Sequence, residues 1–289
     1  MLARRPIALL ATALCVCFLQ SYCIAQDKSN VQFGKVSPAD FNLPTNPIID
    51  TNTDAVVLAD VGSVHFVGNK HNWFSYVYKR QTRVKIINKK SIEDLATQKV
   101  LLYGSDKDER VETLSAVAAT TYNLENGQVS TTQLDKQDIY STRIDRSYTE
   151  KKFTLPAVKE GSIIEYTYTI TSDFEFRLPS WEFQSESYPC LWSEYQVDMP
   201  NFFQYVTLGH GYANYDINKT DSRTVQFRLT IPGGAESDDH QTFEDLVVTH
   251  RWVMKNVPAL KEEPFTTSLE NYKARLAIGV FFPANMSII

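Results

Sequence analysis

The sequence has few cysteines, no long hydrophobic segment and none of the short motifs that identify common catalytic sites. Only four cysteines occur among 289 residues, and after the first 25 residues only Cys190 remains. A single cysteine excludes an internal disulfide and a cysteine-based metal site. The motifs G-x-S-x-G, H-E-x-x-H and G-x-x-x-x-G-K-[ST] do not occur.

A block of basic residues is also missing. The chain has 34 acidic and 29 basic residues, which gives a formal charge of −5. Proteins that bind nucleic acid or anionic membranes usually present clustered Lys and Arg, so the composition argues against both partners. Apolar residues make up 43% of the chain, enough for a globular core, and 16 Phe and 15 Tyr against 11 Gly favour β structure.

The first 25 residues have the pattern of a secretory signal peptide. Arg4 and Arg5 form a positive start, and the apolar run 7–19 is about 13 residues long, against the ~20 that a membrane-spanning helix needs. A lipoprotein signal, a twin-arginine signal and a retained anchor are the alternatives. We expect cleavage near Ala25 and export to the periplasm or beyond. The mature chain then has 27 basic and 34 acidic residues, a charge of −7, and no membrane span.

Residues 26–53 are polar and contain Pro38, Pro44 and Pro47, which predicts an extended arm or linker. Beyond them, apolar and polar residues alternate with the period of two that is typical of a strand with one buried face. The clearest segments are 73–88, 164–170, 224–231 and 246–254.

Turn and helix signals complete the prediction of the fold. The pair Asn126-Gly127 predicts a type I′ hairpin. Ser91 with Asp94 resembles a capping box and predicts a short helix that includes Lys99, and Ser268 is a candidate start for a second helix. We therefore predict an all-β fold, an antiparallel β-sandwich over residues 54–276 with one or two short helices.

The candidates for chemistry all have an ordinary structural explanation. We expect Cys190 to be buried and inert, and His250 to be a hydrogen-bonded core residue. His65 and His71 have no further metal ligands at suitable spacing, and the acidic residues at 238–245 lack the alternation and glycine of a calcium loop. We predict no catalytic residue, no cofactor and no metal site. A pair of carboxylates for glycoside hydrolysis stays open, because its spacing is three-dimensional.

A cluster of aromatic residues is the one candidate binding feature. Trp181 and Trp192 are the tentative contacts for a ligand or partner, because exposed flat rings stack on sugars and anchor protein partners. The interpretation we favour is that aromatic residues at alternating strand positions form core. The cluster consists of Trp181, Phe183, Tyr188, Trp192, Tyr195, Phe202, Phe203 and Tyr205.

Several segments carry a family resemblance. The sequence FTLPAVKEGSIIEY at 153–166 resembles the central signature of domain-of-unknown-function family 3857, and PSWEFQ at 179–184 and NVPAL at 256–260 continue it. This family is the β-rich domain N-terminal to transglutaminase-like domains in exported bacterial proteins of the Bacteroidetes type. The similarity extends from about residue 54 to residue 272.

The resemblance implies an antiparallel β domain similar to the N-terminal β domain of zinc aminopeptidases, which frames a substrate cleft without doing chemistry. It also implies a transglutaminase-like partner, as a domain or a separate chain, that carries the Cys-His-Asp set. Cys190 lies inside the β domain and does not inherit the role of nucleophile. Residues 277–289 do not resemble the expected continuation, which suggests a truncated or frameshifted product.

The function expected from these observations is that of a non-catalytic, exported accessory domain. It would position or recognise a peptide or surface polymer for a transglutaminase/protease-like module that is absent from this sequence. The alternative is a carbohydrate-binding module that uses exposed Trp and Tyr.

Overall fold

Strands account for most of the structure. It is a computed structural model that describes residues 28–69, 73–104, 110–211, 214–231, 239–260 and 272–280. The chain divides into residues 1–32 and residues 33–289. The predicted signal peptide lies outside the described residues. No helix among the described residues is long and apolar enough to cross a membrane.

The described residues of the second unit form fourteen strands. One short helix, α1, spans Ile92–Leu95, and single 3₁₀ turns occur at Pro38–Phe41, Lys89–Ser91 and Lys136–Asp138. The strands are β1 (Ala55–Asn69), β2 (Trp73–Ile86), β3 (Thr97–Tyr103), β4 (Glu112–Glu125), β5 (Gln128–Gln133), β6 (Ile139–Arg143), β7 (Tyr148–Thr154), β8 (Ile163–Ser172), β9 (Arg177–Glu182), β10 (Cys190–Pro200), β11 (Tyr205–His210), β12 (Ile217–Ile231), β13 (Asp239–Val257) and β14 (Arg275–Val280).

The strands form one large sheet and two small ones. The large sheet has the order β12-β13-β10-β1-β2-β8-β4-β5, and the small sheets are β11-β14-β9 and β3-β7-β6. The predicted all-β fold is confirmed. One detail differs, because β1 and β10 run parallel, with Val64 opposite Val197, whereas every other strand pair among the described residues is antiparallel.

Both small sheets pack on the same face of the large sheet. Trp181 of β9 stacks on Tyr195 of β10, with ring centroids 5.2 Å apart and planes 7° apart. Phe153 of β7 lies edge-on to Tyr166 of β8 at 6.4 Å. The core therefore lies between the layers, and the largest fully buried side chains are Trp181, Tyr195, Phe153, Phe183, Ile86, Ile163, Ile164, Val56, Val64, Val84, Val197 and Val253.

The polar face of β2 is partly covered, whereas the period-two pattern predicts a strand with only one buried face. Arg83 is 2% exposed and Lys85 is 7% exposed. Arg83 forms an ion pair with Glu165 and donates to the backbone oxygen of Lys35, and the ring of Phe41 lies 4.7 Å from the Lys85 ammonium. The residues that precede β1 therefore cover this side of the sheet.

The local predictions have mixed outcomes. Asn126 and Gly127 have φ angles of 51° and 78°, so the hairpin between β4 and β5 has the predicted positive φ angles. The capping-box prediction is wrong, because the Ser91 hydroxyl donates to the backbone oxygens of Asp54 and Asn88. The helix ends at Leu95, and Lys99 lies in β3. The helix predicted near Ser268 lies outside the described residues.

The last described strand, β14, extends past residue 276. Strand β14 continues to Val280 and is paired on both sides, with Ile278 opposite Leu178 of β9 and Thr207 of β11. Ile278 is 3% exposed, so it belongs to the core. Residues 281–289 lie outside the described residues.

Candidate functional site

A cavity of about 370 Å³ lies between the large sheet and the end of β9. Residues of β1, β2 and β10 line one side, and Glu182, Glu186 and Lys273 line the other. The volume falls in the range of small-molecule sites. We consider this cavity the candidate site because it contains a buried ion pair on the central strands.

The ion pair joins Asp60 of β1 to Arg80 of β2. The guanidinium donates from Nε to Oδ1 at 3.0 Å and from Nη2 to Oδ2 at 2.6 Å, and the Thr82 hydroxyl donates to Oδ1 at 2.8 Å. This is the two-pronged geometry in which arginine binds a carboxylate most strongly. The Asp60 side chain is 10% exposed, whereas that of Arg80 is 34% exposed, so the cavity reaches mainly the arginine.

The positive charge of Arg80 is stable around neutral pH. Burial by itself lowers the pKa of Arg80, but the Asp60 carboxylate and the neighbouring tyrosines outweigh it and hold the pKa above its usual range. Burial raises the pKa of Tyr166, another lining residue, to about 12, so its hydroxyl stays neutral. The cavity therefore contains a permanent cation at neutral pH.

Trp181 fixes the position of the small sheet over this pair. Its indole Nε1 donates to the Ser193 hydroxyl at 3.1 Å, and the Arg80 guanidinium lies 5.2 Å from its ring centre. The indole lies directly over Gly62, where an added Cβ would be 2.3 Å from Cζ3. A glycine at this strand position is therefore what allows the sheets to approach closely.

Three charged residues form the mouth of the cavity. The ammonium of Lys273 lies 3.0 Å from Oε2 of Glu182 and 3.3 Å from Oε1 of Glu186. The Lys273 side chain is 10% exposed, while the two glutamates are about half exposed, at 48% and 49%. The carboxylates therefore face solvent at the entrance.

Cys190 also lines the cavity, and its environment disfavours the thiolate. The residue is 4% exposed. Burial raises its pKa well above the usual range, and the nearby Asp60 carboxylate adds to the effect. The thiol is therefore neutral at pH 7 and is a weak nucleophile.

The two tryptophans predicted as contacts are both buried. Trp181 is 2% exposed and Trp192 is 7% exposed. Trp192 donates from Nε1 to Glu194 at 2.8 Å, and the Lys255 ammonium lies 5.2 Å from its ring centre. Neither residue presents the open ring face that sugar stacking requires.

The histidines and acidic residues form no metal centre in the described part of the chain. No group of three or more His, Cys, Asp or Glu there is placed to hold an ion. His250 stacks on Trp252 at 5.4 Å, with Thr220 within 3.3 Å of its Nδ1. His65 lines a separate cavity of about 300 Å³. His71 and residue 238 of the acidic cluster lie outside the described residues.

Sequence reasoning missed Asp60 and Arg80, although a signal for them exists. The apolar face of β2 comprises its even positions, and Arg80 and Thr82 fall on that face between Tyr78 and Val84. A charged residue at an inward strand position needs a buried partner. The single acidic residue in the apolar run of β1, Asp60, is that partner.

The fold and the site together define an all-β domain with a cavity that contains charged side chains. Residues 74–261 match the family described as a domain of unknown function with a solved structure, DUF3857. The chain belongs to this family, as the sequence motifs indicated. No curated protein matches the chain.

Two solved structures resemble the chain to different degrees. The crystal structure of a "putative protease" from Parabacteroides distasonis matches with a TM-score of 0.54 and 12% identity, over 79% of this chain and 40% of that one. This chain thus spans two fifths of the length of that protein, and the likeness shows the shared fold. Yeast LTA4 hydrolase in complex with bestatin matches with a TM-score of 0.27 and 10% identity, over 74% and 32%, a level that supports no conclusion.

Proposed function

We propose that the chain is a non-catalytic, exported accessory domain that recognises or positions a peptide or surface polymer for a protease-like or transglutaminase-like module. The observation that carries the proposal is the chemistry of the cavity. Its cations are held in ion pairs with carboxylates, and burial keeps the Cys190 thiol neutral. Groups held in this way bind and orient polar ligands, whereas nucleophilic catalysis needs an activated nucleophile beside a base.

The likeness to the Parabacteroides protein supports a role within a larger assembly. That protein is described as a "putative protease", and the match covers 40% of it. The proposal places the catalytic groups in a module of the kind that lies outside the match, either fused to a domain like this one or present as a separate chain. Fold alone does not assign activity, so the proposal depends on the cavity.

A carbohydrate-binding module is less well supported. It requires Trp181 or Trp192 to stack on a sugar ring, and both are buried. The cavity offers ion pairs, whereas a sugar platform is an exposed aromatic surface.

Peptide hydrolysis by the purified chain from Gln26 onward tests the proposal. We expect no turnover of a fluorogenic peptide library by the wild-type chain. Turnover that Cys190→Ala or Asp60→Asn abolishes, in a variant that circular dichroism shows to be folded, would overturn the proposal. These two variants are chosen because Cys190 and Asp60 are the thiol and the most buried carboxylate of the cavity.

A further inference from the structure

Arg80, which lines the cavity, has an unused hydrogen-bond donor. Arg80 donates to Asp60 from Nε and Nη2, and Nη1 has no acceptor among the described residues. The Arg80 side chain lies on a central strand of the large sheet but is 34% exposed, and it lines the cavity. An accessible guanidinium in a cavity is a binding group for a carboxylate.

The mouth of the cavity has unused acceptors. Glu182 contacts Lys273 through Oε2, and Glu186 contacts it through Oε1, so each glutamate has a second oxygen without a donor in the described part of the chain. Both side chains are about half exposed. Free carboxylate oxygens at an entrance bind a group that only donates, such as an ammonium.

The charge of the lining favours a ligand with both signs of charge. Three carboxylates, those of Asp60, Glu182 and Glu186, face the two cations Arg80 and Lys273, which leaves one negative charge. A carboxylate complements the guanidinium and an ammonium complements the glutamates, and the second ammonium of a free diamino acid neutralises the remaining charge. Val84, Leu95 and Phe183 also line the cavity and offer apolar surface to the methylene groups between the charges.

We propose that this cavity binds a diamino acid, either free or as the C-terminal residue of a peptide. Its carboxylate accepts from Nη1 of Arg80, and its side-chain ammonium lies between Glu182 and Glu186. This inference rests on the proposed function in treating the cavity as a recognition site, and it names the ligand class.

Calorimetric titration of the chain from Gln26 onward tests the inference. The ligands are L-lysine, 1,5-diaminopentane, which lacks the carboxylate, and 6-aminohexanoate, which lacks the α-ammonium. We expect saturable binding of L-lysine and at least about tenfold weaker binding of 1,5-diaminopentane, the scale of one charge-assisted hydrogen bond. The peptide Gly-Gly-Lys and its C-terminal amide separate the two sources. We expect the acid, and not the amide, to bind if the site accepts a peptide end.

Variants at the mouth test the other half of the site without disturbing the buried pair. Glu182→Gln with Glu186→Gln keeps two acceptors for Lys273 but removes both charges, and we expect about tenfold weaker binding of L-lysine or more. Glu125→Gln is the matched control, because Glu125 is a half-exposed carboxylate paired with Lys159 outside the cavity lining. We expect it to bind L-lysine as the wild type does.

Three results would overturn the inference. They are the absence of saturable L-lysine binding, equal affinity for L-lysine and 1,5-diaminopentane, and full affinity in the doubly substituted variant. None of these bears on whether the chain hydrolyses peptides, so failure of the ligand assignment and failure of the proposed function give different results.

Discussion

Gly62→Ala tests the packing that positions the small sheet over the cavity. The added methyl group would lie 2.3 Å from Cζ3, 2.7 Å from Cε3 and 3.0 Å from Cη2 of Trp181. The indole is held in place by its stacking on Tyr195 and by its hydrogen bond to Ser193. It therefore cannot move away without breaking these interactions.

The expected cost follows from the steric clash and from the interactions of the indole that it would break. Overpacking a core costs about 1–3 kcal/mol, a broken hydrogen bond about 1 kcal/mol and a broken aromatic pair about 0.5–1.5 kcal/mol. Replacing glycine in a strand raises the free energy of unfolding by about 0.4–1 kcal/mol, because it lowers the conformational entropy of the unfolded chain. We expect Gly62→Ala to lower the free energy of unfolding by about 1.5–5 kcal/mol, which corresponds to a Tm lower by roughly 3–20 °C.

Urea denaturation and thermal unfolding measure the effect, with Gly279→Ala as the control. Gly279 lies in β14 of the same small sheet, and no atom lies within 4 Å of the Cβ position there. We expect the control to raise the free energy of unfolding slightly, by about 0.4–1 kcal/mol, because only the effect on the unfolded chain remains. Adding Trp181→Phe, which removes the clashing part of the ring, should make the penalty of Gly62→Ala smaller. Equal stability of the two alanine variants would refute the reasoning.

Three further predictions concern single ionisable groups. Burial raises the pKa of Glu175, and its Oε2 has no hydrogen-bond partner among the described residues. Ionisation of Glu175 therefore lowers the free energy of unfolding as the pH rises above the usual Glu pKa of about 4.3. Glu175→Gln should raise the free energy of unfolding by about 1 kcal/mol at pH 7 and leave it unchanged at pH 3.5, as measured by urea titration. A lower free energy of unfolding at pH 7 would contradict this prediction. Burial lowers the pKa of His250, so the unfolded chain takes up a proton below about pH 6.5 that the folded chain does not, and stability falls as the pH falls. His250→Gln should lose part of this acid sensitivity, and a pH profile of stability identical to that of the wild type would contradict this prediction. Iodoacetamide at pH 8 should modify Cys190 only in the presence of denaturant, as read by intact mass; rapid labelling of the folded chain would show that the thiol is accessible.

The strand faces could be predicted from the sequence because their signal is local. In β2 the apolar positions 74, 76, 78, 84 and 86 are all buried, as the period-two pattern predicts. The Asn126-Gly127 turn was equally readable, since the residue type determines which φ angles are accessible. Such features depend on neighbours along the chain.

The features that could not be predicted depend on contacts between distant segments. The pattern of β1 gives its buried face but not its parallel partner β10, which follows more than 120 residues later. The burial of Arg83 and Lys85 depends on residues 33–41, and the role of Arg80 depends on Asp60. The candidate site is formed by contacts between distant segments of this kind. The local sequence therefore contained only one indication of it, a charged residue at an inward position of β2.

The central claim is that this domain binds through the cavity and performs no chemistry there. Hydrogen–deuterium exchange of the chain with Gly-Gly-Lys, read by mass spectrometry, tests both parts in one measurement. We expect a peptide of unchanged mass and slower exchange confined to the cavity lining, which comprises segments 57–60, 80–84 and 182–193 with Leu95, Tyr166 and Lys273. Protection elsewhere, or cleavage of the peptide, would contradict it.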